Sequence, residues 1–101
     1  MIMMNKQIER IKKVLRSLEK QIKKEYKAEI VGIFGSCVRG EQSEGSDVDI
    51  LVRFLKGATL FDFVGLANFL EEKLNLKADI VPVDAIREEI RENVLKEAIY
   101  L

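Results

Sequence analysis

The sequence predicts an α/β domain of the α+β kind, with a small mixed three-stranded sheet and helices packed on one face. Three observations carry this. Apolar residues recur at helical spacing over the first 26 residues and again in two later stretches. Three short β-rich segments lie between those stretches. The first two segments are joined by a glycine-containing connection, whereas the second and third are separated by a whole helix. A helix between strands implies a right-handed parallel crossover, and the shorter link permits an antiparallel pair, so the sheet is mixed.

Each element has a local cause. Ile8, Ile11, Leu15, Leu18 and Ile22 alternate between spacings of three and four, placing one apolar stripe on a helix from about Lys6 to Tyr26. Glu29 to Gly35 then reads as a short buried strand ending at glycine. Ser36 to Ser46, with Gly40 and Gly45, is a turn-rich connection that opens with a short helical turn through Val38 and Arg39. Asp47 to Phe54 is the second strand, and Gly57 ends it. Thr59 followed three residues later by Asp62 has the form of a capping box, opening a helix from Leu60 to about Leu74. Lys77 to Val81 is the third strand, stopped by Pro82. Asp84 is placed to cap a last helix, in which Ile86, Ile90, Val94 and Ala98 lie at spacing four and which runs to Tyr100 and Leu101.

Composition narrows the chemistry. The 101 residues, 48% of them apolar, suit one domain over positions 1–101 and one modest core. There is no histidine, which excludes Ser-His-Asp and Cys-His catalytic units and the usual zinc sites. A single thiol, Cys37, excludes an internal disulfide and a Cys-rich metal site. A bound metal must then sit among oxygens, which favours Mg²⁺ or Mn²⁺. Glu9 and Arg10 interrupt the amino terminus before any signal-peptide core, and no apolar run is long enough to span a bilayer, so a cytoplasmic protein without membrane contact is expected. The 17 basic and 17 acidic side chains cancel overall but not locally. Met1 to Lys27 carries nine basic residues against three acidic, and the remainder eight against fourteen, making a basic arm on an acidic body. No aromatic residue is interleaved on the charged faces of that arm to stack bases, so it reads as a solvated face and direct nucleic-acid binding is not expected.

The segment that carries chemistry is Gly35-Ser36, ten residues, then Asp47-Val48-Asp49. Positions i and i+2 of a strand share a face, so Asp47 and Asp49 present paired carboxylates while Val48 and Ile50 turn to the core. A divalent cation relieves their repulsion and leaves an open side for phosphate oxygens. Gly35 lets the backbone bend and a phosphate come close, Ser36 adds a hydroxyl, and Arg39 adds a charge that could equally pair with Glu41 or Glu44. Asp79, within the third strand, reaches the same cluster if that strand lies beside the second; otherwise it is an edge-strand acid facing water. Three such carboxylates suit two metal ions and in-line displacement at phosphorus. Asp62 and Asp84 are better explained as helix-start residues and are left out of the site.

These residues resemble a known family, the minimal nucleotidyltransferases of the DNA polymerase beta-like superfamily. The likeness rests on Gly-Ser-Cys-Val-Arg-Gly-Glu from Gly35, on Ser-Asp-Val-Asp-Ile-Leu-Val from Ser46, and on Ala-Asp-Ile-Val around Asp79, and it covers nearly the whole chain. It implies that Asp47 and Asp49 bind the metal ions, Mg²⁺ being expected, that Asp79 completes the catalytic acids by helping to deprotonate the attacking hydroxyl, and that Gly35 and Ser36 hold the nucleotide phosphates, where Arg39 is near enough in sequence to add its charge. It implies transfer of NMP from NTP with loss of pyrophosphate, AMP from ATP being the expected case. Cys37 and Val38 depart from the family's usual aromatic residue and alanine, which touches the packing behind the loop rather than the metal chemistry. The chain has no substrate lobe, so another polypeptide is expected to bring the hydroxyl. The resemblance implies an antitoxin whose acceptor is a tyrosine of a HEPN-type toxin encoded beside it. A binding module that neutralises its partner by complex formation alone is the alternative, and an antibiotic-modifying enzyme is disfavoured by size.

Overall fold

A computed structural model describes residues 2–35 and 48–101, with side chains from Ile8 onward. The expected turn region, including the helical turn through Val38 and Arg39, lies outside the described residues, as does Asp47. The described chain runs α1 (Ile2–Tyr26), β1 (Ala28–Phe34), β2 (Val48–Phe54), α2 (Leu60–Leu74), β3 (Ala78–Pro82), a 3₁₀ turn (Val83–Ala85), α3 (Glu88–Glu97) and β4 (Ile99–Tyr100). The sheet order is β3-β2-β1-β4. β2 and β3 pair in parallel, and β1 pairs antiparallel with β2 and with β4. The mixed sheet is as expected, with a fourth strand beyond the predicted three.

That strand replaces the end of the predicted last helix. The helix begins at Glu88, because Ile86 and Arg87 are still extended, and Ala98 returns to extended backbone. Asp84 does not cap it: Asp84 sits in the 3₁₀ turn, and Arg87 stands at the N-cap without a side-chain bond. The capping box of α2 does form, with Thr59 N–H donating to Asp62 Oδ2 at 2.9 Å and Asp62 N–H to Thr59 Oγ1 at 3.4 Å.

The larger core lies where α1 and α2 cover one sheet face. Ile8, Ile11, Leu15 and Ile22 of α1 and Leu66, Leu70 and Leu74 of α2 meet Ile33, Val48, Ile50, Val52 and Ile80 from the strands. Arg10 donates to the Leu74 carbonyl at 3.1 Å, placing a cation on the negative end of α2. Tyr26 packs against Phe69 with ring centroids 5.3 Å apart, and burial, with smaller contributions from Glu25 and Glu72, raises its phenol above 10.0. On the opposite face, α3 and the 3₁₀ turn cover a smaller cluster around Leu51, Ile86 and Ala98, so the helices occupy both faces, with the two longer ones together.

A β-bulge sets which residues face which side. Ile30 pairs with Val52 and Gly32 with Leu51, so Val31 is an extra residue on β1. The phase of β1 flips there: Ala28 and Ile30 face α1, and beyond the bulge Ile33 takes that side while Val31 and Phe34 join the smaller cluster.

Candidate functional site

The site is built by register. Phe34 of β1 lies opposite Asp49 of β2, and Asp49 lies beside Asp79 of β3. Register partners point to one face, so Phe34, Asp49 and Asp79 form a row across three strands on the side opposite α1 and α2. Neighbouring strands are about 4.8 Å apart, so the two acid side chains start from adjacent backbone positions. The next row on that face is Leu51 and Val81, an apolar floor beside the acids. Asp49 is half-buried and Asp79 exposed. Among the described strands β3 is an edge strand, yet its register brings Asp79 to Asp49.

The start of β3 is tied down on both sides. Val48 N–H donates to the Lys77 carbonyl at 2.9 Å, and Ala78 N–H donates to Glu71 Oε2 at 3.0 Å. Both bonds lie just before Asp79 and help to fix the register on which the pairing with Asp49 depends.

Gly35 completes the described part of the site. Its φ is +93°, a region L side chains rarely adopt. A β-carbon placed there would lie 2.0 Å from Asp49 Oδ2, so the Asp49 carboxylate rests directly against the Gly35 backbone. Glycine is required both by the turn and by this contact. Ser36, Arg39 and Asp47 lie outside the described residues. Among the described residues no group of three candidate metal ligands is found, and Asp49 with Asp79 is the acidic pair the fold brings together. Their donors are hard carboxylate oxygens, the type that suits Mg²⁺ or Mn²⁺. Sequence reasoning missed Phe34 as the neighbour of Asp49, because a bulge inside an apolar strand leaves no mark in periodicity.

Known proteins resemble this chain over most of its length. The nucleotidyltransferase domain family matches residues 8–101. The protein adenylyltransferase MntA of Thermococcus cleftensis is 37% identical over 94 residues, covering 93% of this chain and 95% of the relative. A Methanocaldococcus jannaschii protein, provisionally named a protein adenylyltransferase, is 41% identical over 81 residues, covering 80% of this chain and 94% of the relative. A solved structure provisionally described as a minimal nucleotidyltransferase superposes with TM-score 0.75 at 38% identity, covering 97% of this chain and 95% of that one. A toxin–antitoxin crystal structure with AMP-PNP shares the fold at TM-score 0.63 and 22% identity, over 79% of this chain and 66% of that one. Among the described residues no helix is long and apolar enough to cross a membrane. With the acid row and glycine turn in place and the family's domain matched from Ile8 to Leu101, the chain belongs to the nucleotidyltransferase family and is an enzyme of that class.

Proposed function

We propose that this enzyme is a protein adenylyltransferase that moves AMP from ATP to a hydroxyl on a partner protein, and that the acceptor is a tyrosine of a HEPN-type toxin for which the chain is the antitoxin. The observation that carries it is the placing of Asp49 beside Asp79, with the Asp49 carboxylate against Gly35. The names of the relatives from T. cleftensis and M. jannaschii support protein as the acceptor class. Asp47, Asp49 and Asp79 would hold the divalent metal, two Mg²⁺ ions in this reading. When bound, the metal neutralises phosphate charge and the charge that develops on the leaving pyrophosphate.

The chain's own residues do the rest. Asp79, exposed at the sheet edge, takes the hydroxyl proton as the oxygen attacks the α-phosphorus. The new bond is oxygen to α-phosphorus, the bond to the bridging oxygen of the β-phosphate breaks, and pyrophosphate leaves. Gly35 and Ser36, with Arg39, hold the phosphates so that attack is in line. Val81 and Leu51 keep the sheet floor apolar behind the acids.

The test is intact mass spectrometry of the chain and the product of its neighbouring gene after incubation with Mg²⁺ and each NTP in turn. The expected result is a mass gain of one AMP on the partner, lost in the Asp47→Asn/Asp49→Asn double variant. A stable complex without mass gain, in which the double variant still protects cells, would overturn transfer in favour of neutralisation by binding. Leu60, Phe61 and Val64, exposed together at the start of α2, would be the surface for that alternative.

A further inference from the structure

The outer face of α1 carries a ridge of cations with no partner in the reading above. At 100° per residue, Lys13, Arg16, Lys20, Lys23 and Lys24 fall within an arc of about 100°, on the far side of the helix from Ile11, Leu15 and Ile22. All five are exposed. Glu19, at the border of the arc, is the one acid between Lys12 and Lys24. Among the described residues, Lys23 pairs with Glu29 at 3.9 Å, and Lys13, Arg16, Lys20 and Lys24 enter no ion pair. At 1.5 Å per residue the ridge from Lys13 to Lys24 is about 16 Å long. It lies across the sheet from Asp49 and Asp79, so occupying it leaves the acid row open.

We propose that this ridge binds the phosphodiester backbone of a nucleic-acid duplex without regard to base sequence. The composition of the ridge selects that partner over an acidic protein surface. Protein interfaces are depleted in Lys and centre on aromatic or apolar anchors. Here four of the five cations are Lys, and the neutral residues beside them, Ser17 and Gln21, are small or polar and exposed. The lack of interleaved aromatics, which led to a solvated face in the sequence reading, excludes base stacking on single strands and has no bearing on phosphate contacts. Counterion release supplies the free energy, so affinity must fall steeply with salt.

The test is fluorescence anisotropy of a labelled 20-base-pair DNA duplex and of its RNA counterpart, each in two unrelated sequences, titrated with the wild-type chain from 50 to 300 mM KCl. Binding is expected for both sequences of at least one duplex type, with log K falling against log salt at a slope of about −3 to −5. The difference between the DNA and RNA arms says which source of the phosphate backbone is preferred. Lys20→Gln/Lys24→Gln is expected to reduce the slope by about two and weaken every sequence equally. Gln keeps helix propensity at these exposed positions, and circular dichroism checks the fold. Lys56→Gln/Lys96→Gln removes the same charge away from the ridge and is expected to leave the slope within about half a unit. No duplex binding at 100 µM protein in 50 mM KCl (about the weak limit of non-specific binding) overturns the proposal. So does binding that both double variants weaken alike, or tighter binding to polyglutamate, a stand-in for an acidic protein, than to either duplex.

Discussion

At the scale of single residues, Gly35 carries two constraints at once. Its φ of +93° places any L side chain in strain, and a methyl group there would lie 2.0 Å from Asp49 Oδ2. Gly35→Ala is therefore expected to lower stability by about 1–3 kcal/mol and to swing the Asp49 carboxylate out of its row. Urea unfolding measures the first effect; AMP transfer to the partner, expected to fall more than tenfold, measures the second. Loss of activity at unchanged stability would show that the strain is absorbed by the carboxylate alone. The side of the sheet that Asp49 takes was readable in the sequence because side chains alternate along a strand. The contact between Gly35 and Asp49 was not, since it depends on how closely β1 and β2 approach. Asp79 was half legible: its strand could be read from Lys77 to Val81, but its neighbour is decided by the crossover through α2 and by the bonds at Lys77 and Ala78.

At the scale of elements, helix starts and apolar stripes were legible where local chemistry decides them. Thr59 and Asp62 are such a case, since the capping box needs only four residues. The carboxyl-terminal segment is the opposite case. Ile86, Ile90, Val94 and Ala98 at spacing four look like one helical stripe, yet Ile86 precedes α3, Ile90 is exposed and Ala98 follows the helix. What decides the segment is non-local. Gly32 has no side chain, so the Ile99 carbonyl can lie close to β1; a β-carbon on Gly32 would be 2.5 Å from that oxygen. Ile99 and Tyr100 then pair with Ile33 and Gly32, and the Tyr100 hydroxyl donates to the Leu95 carbonyl. Gly32→Ala is expected to expel β4 at a cost of about 1–3 kcal/mol, because backbone rather than a flexible side chain is in the way. Hydrogen exchange at Ile99 to Leu101 should lose protection in the variant while the amides of α2 keep theirs; retained protection at Leu101 would mean that β1 shifts instead.

At the scale of the whole molecule, the described elements cover the two faces of the sheet unequally. On the α1 and α2 side, fully buried Ile11, Leu15, Ile22, Leu66, Leu70 and Leu74 each contribute roughly 1.5–3 kcal/mol of burial. On the other side, among the described residues, the buried apolar side chains are Leu51, Ile86 and Ala98, and α3 itself contributes none that is fully enclosed. Two tiers of stability follow from that asymmetry. The amides of α3 and β4 are expected to exchange through an opening at least about 2 kcal/mol easier than that of β1, β2 and the middle of α1, since fewer apolar contacts are lost. Ile86→Ala removes one anchor of the smaller cluster and should widen the gap, speeding exchange over 88–101 without moving the exchange of Ile11 to Ile22. Mass-resolved hydrogen exchange reads both tiers in one experiment, and a single uniform opening free energy would show that the smaller cluster is coupled fully to the larger one. The distinction matters for the site because Asp49 and Asp79 stand on the weakly covered face, with Leu51 and Val81 beside them. Their register is nonetheless set by β2 and β3, whose other face belongs to the strong core through Val48, Ile50 and Ile80. Opening of α3 therefore uncovers the floor of the site while the acid row stays in place, so transfer activity of Ile86→Ala should fall far less than its exchange protection.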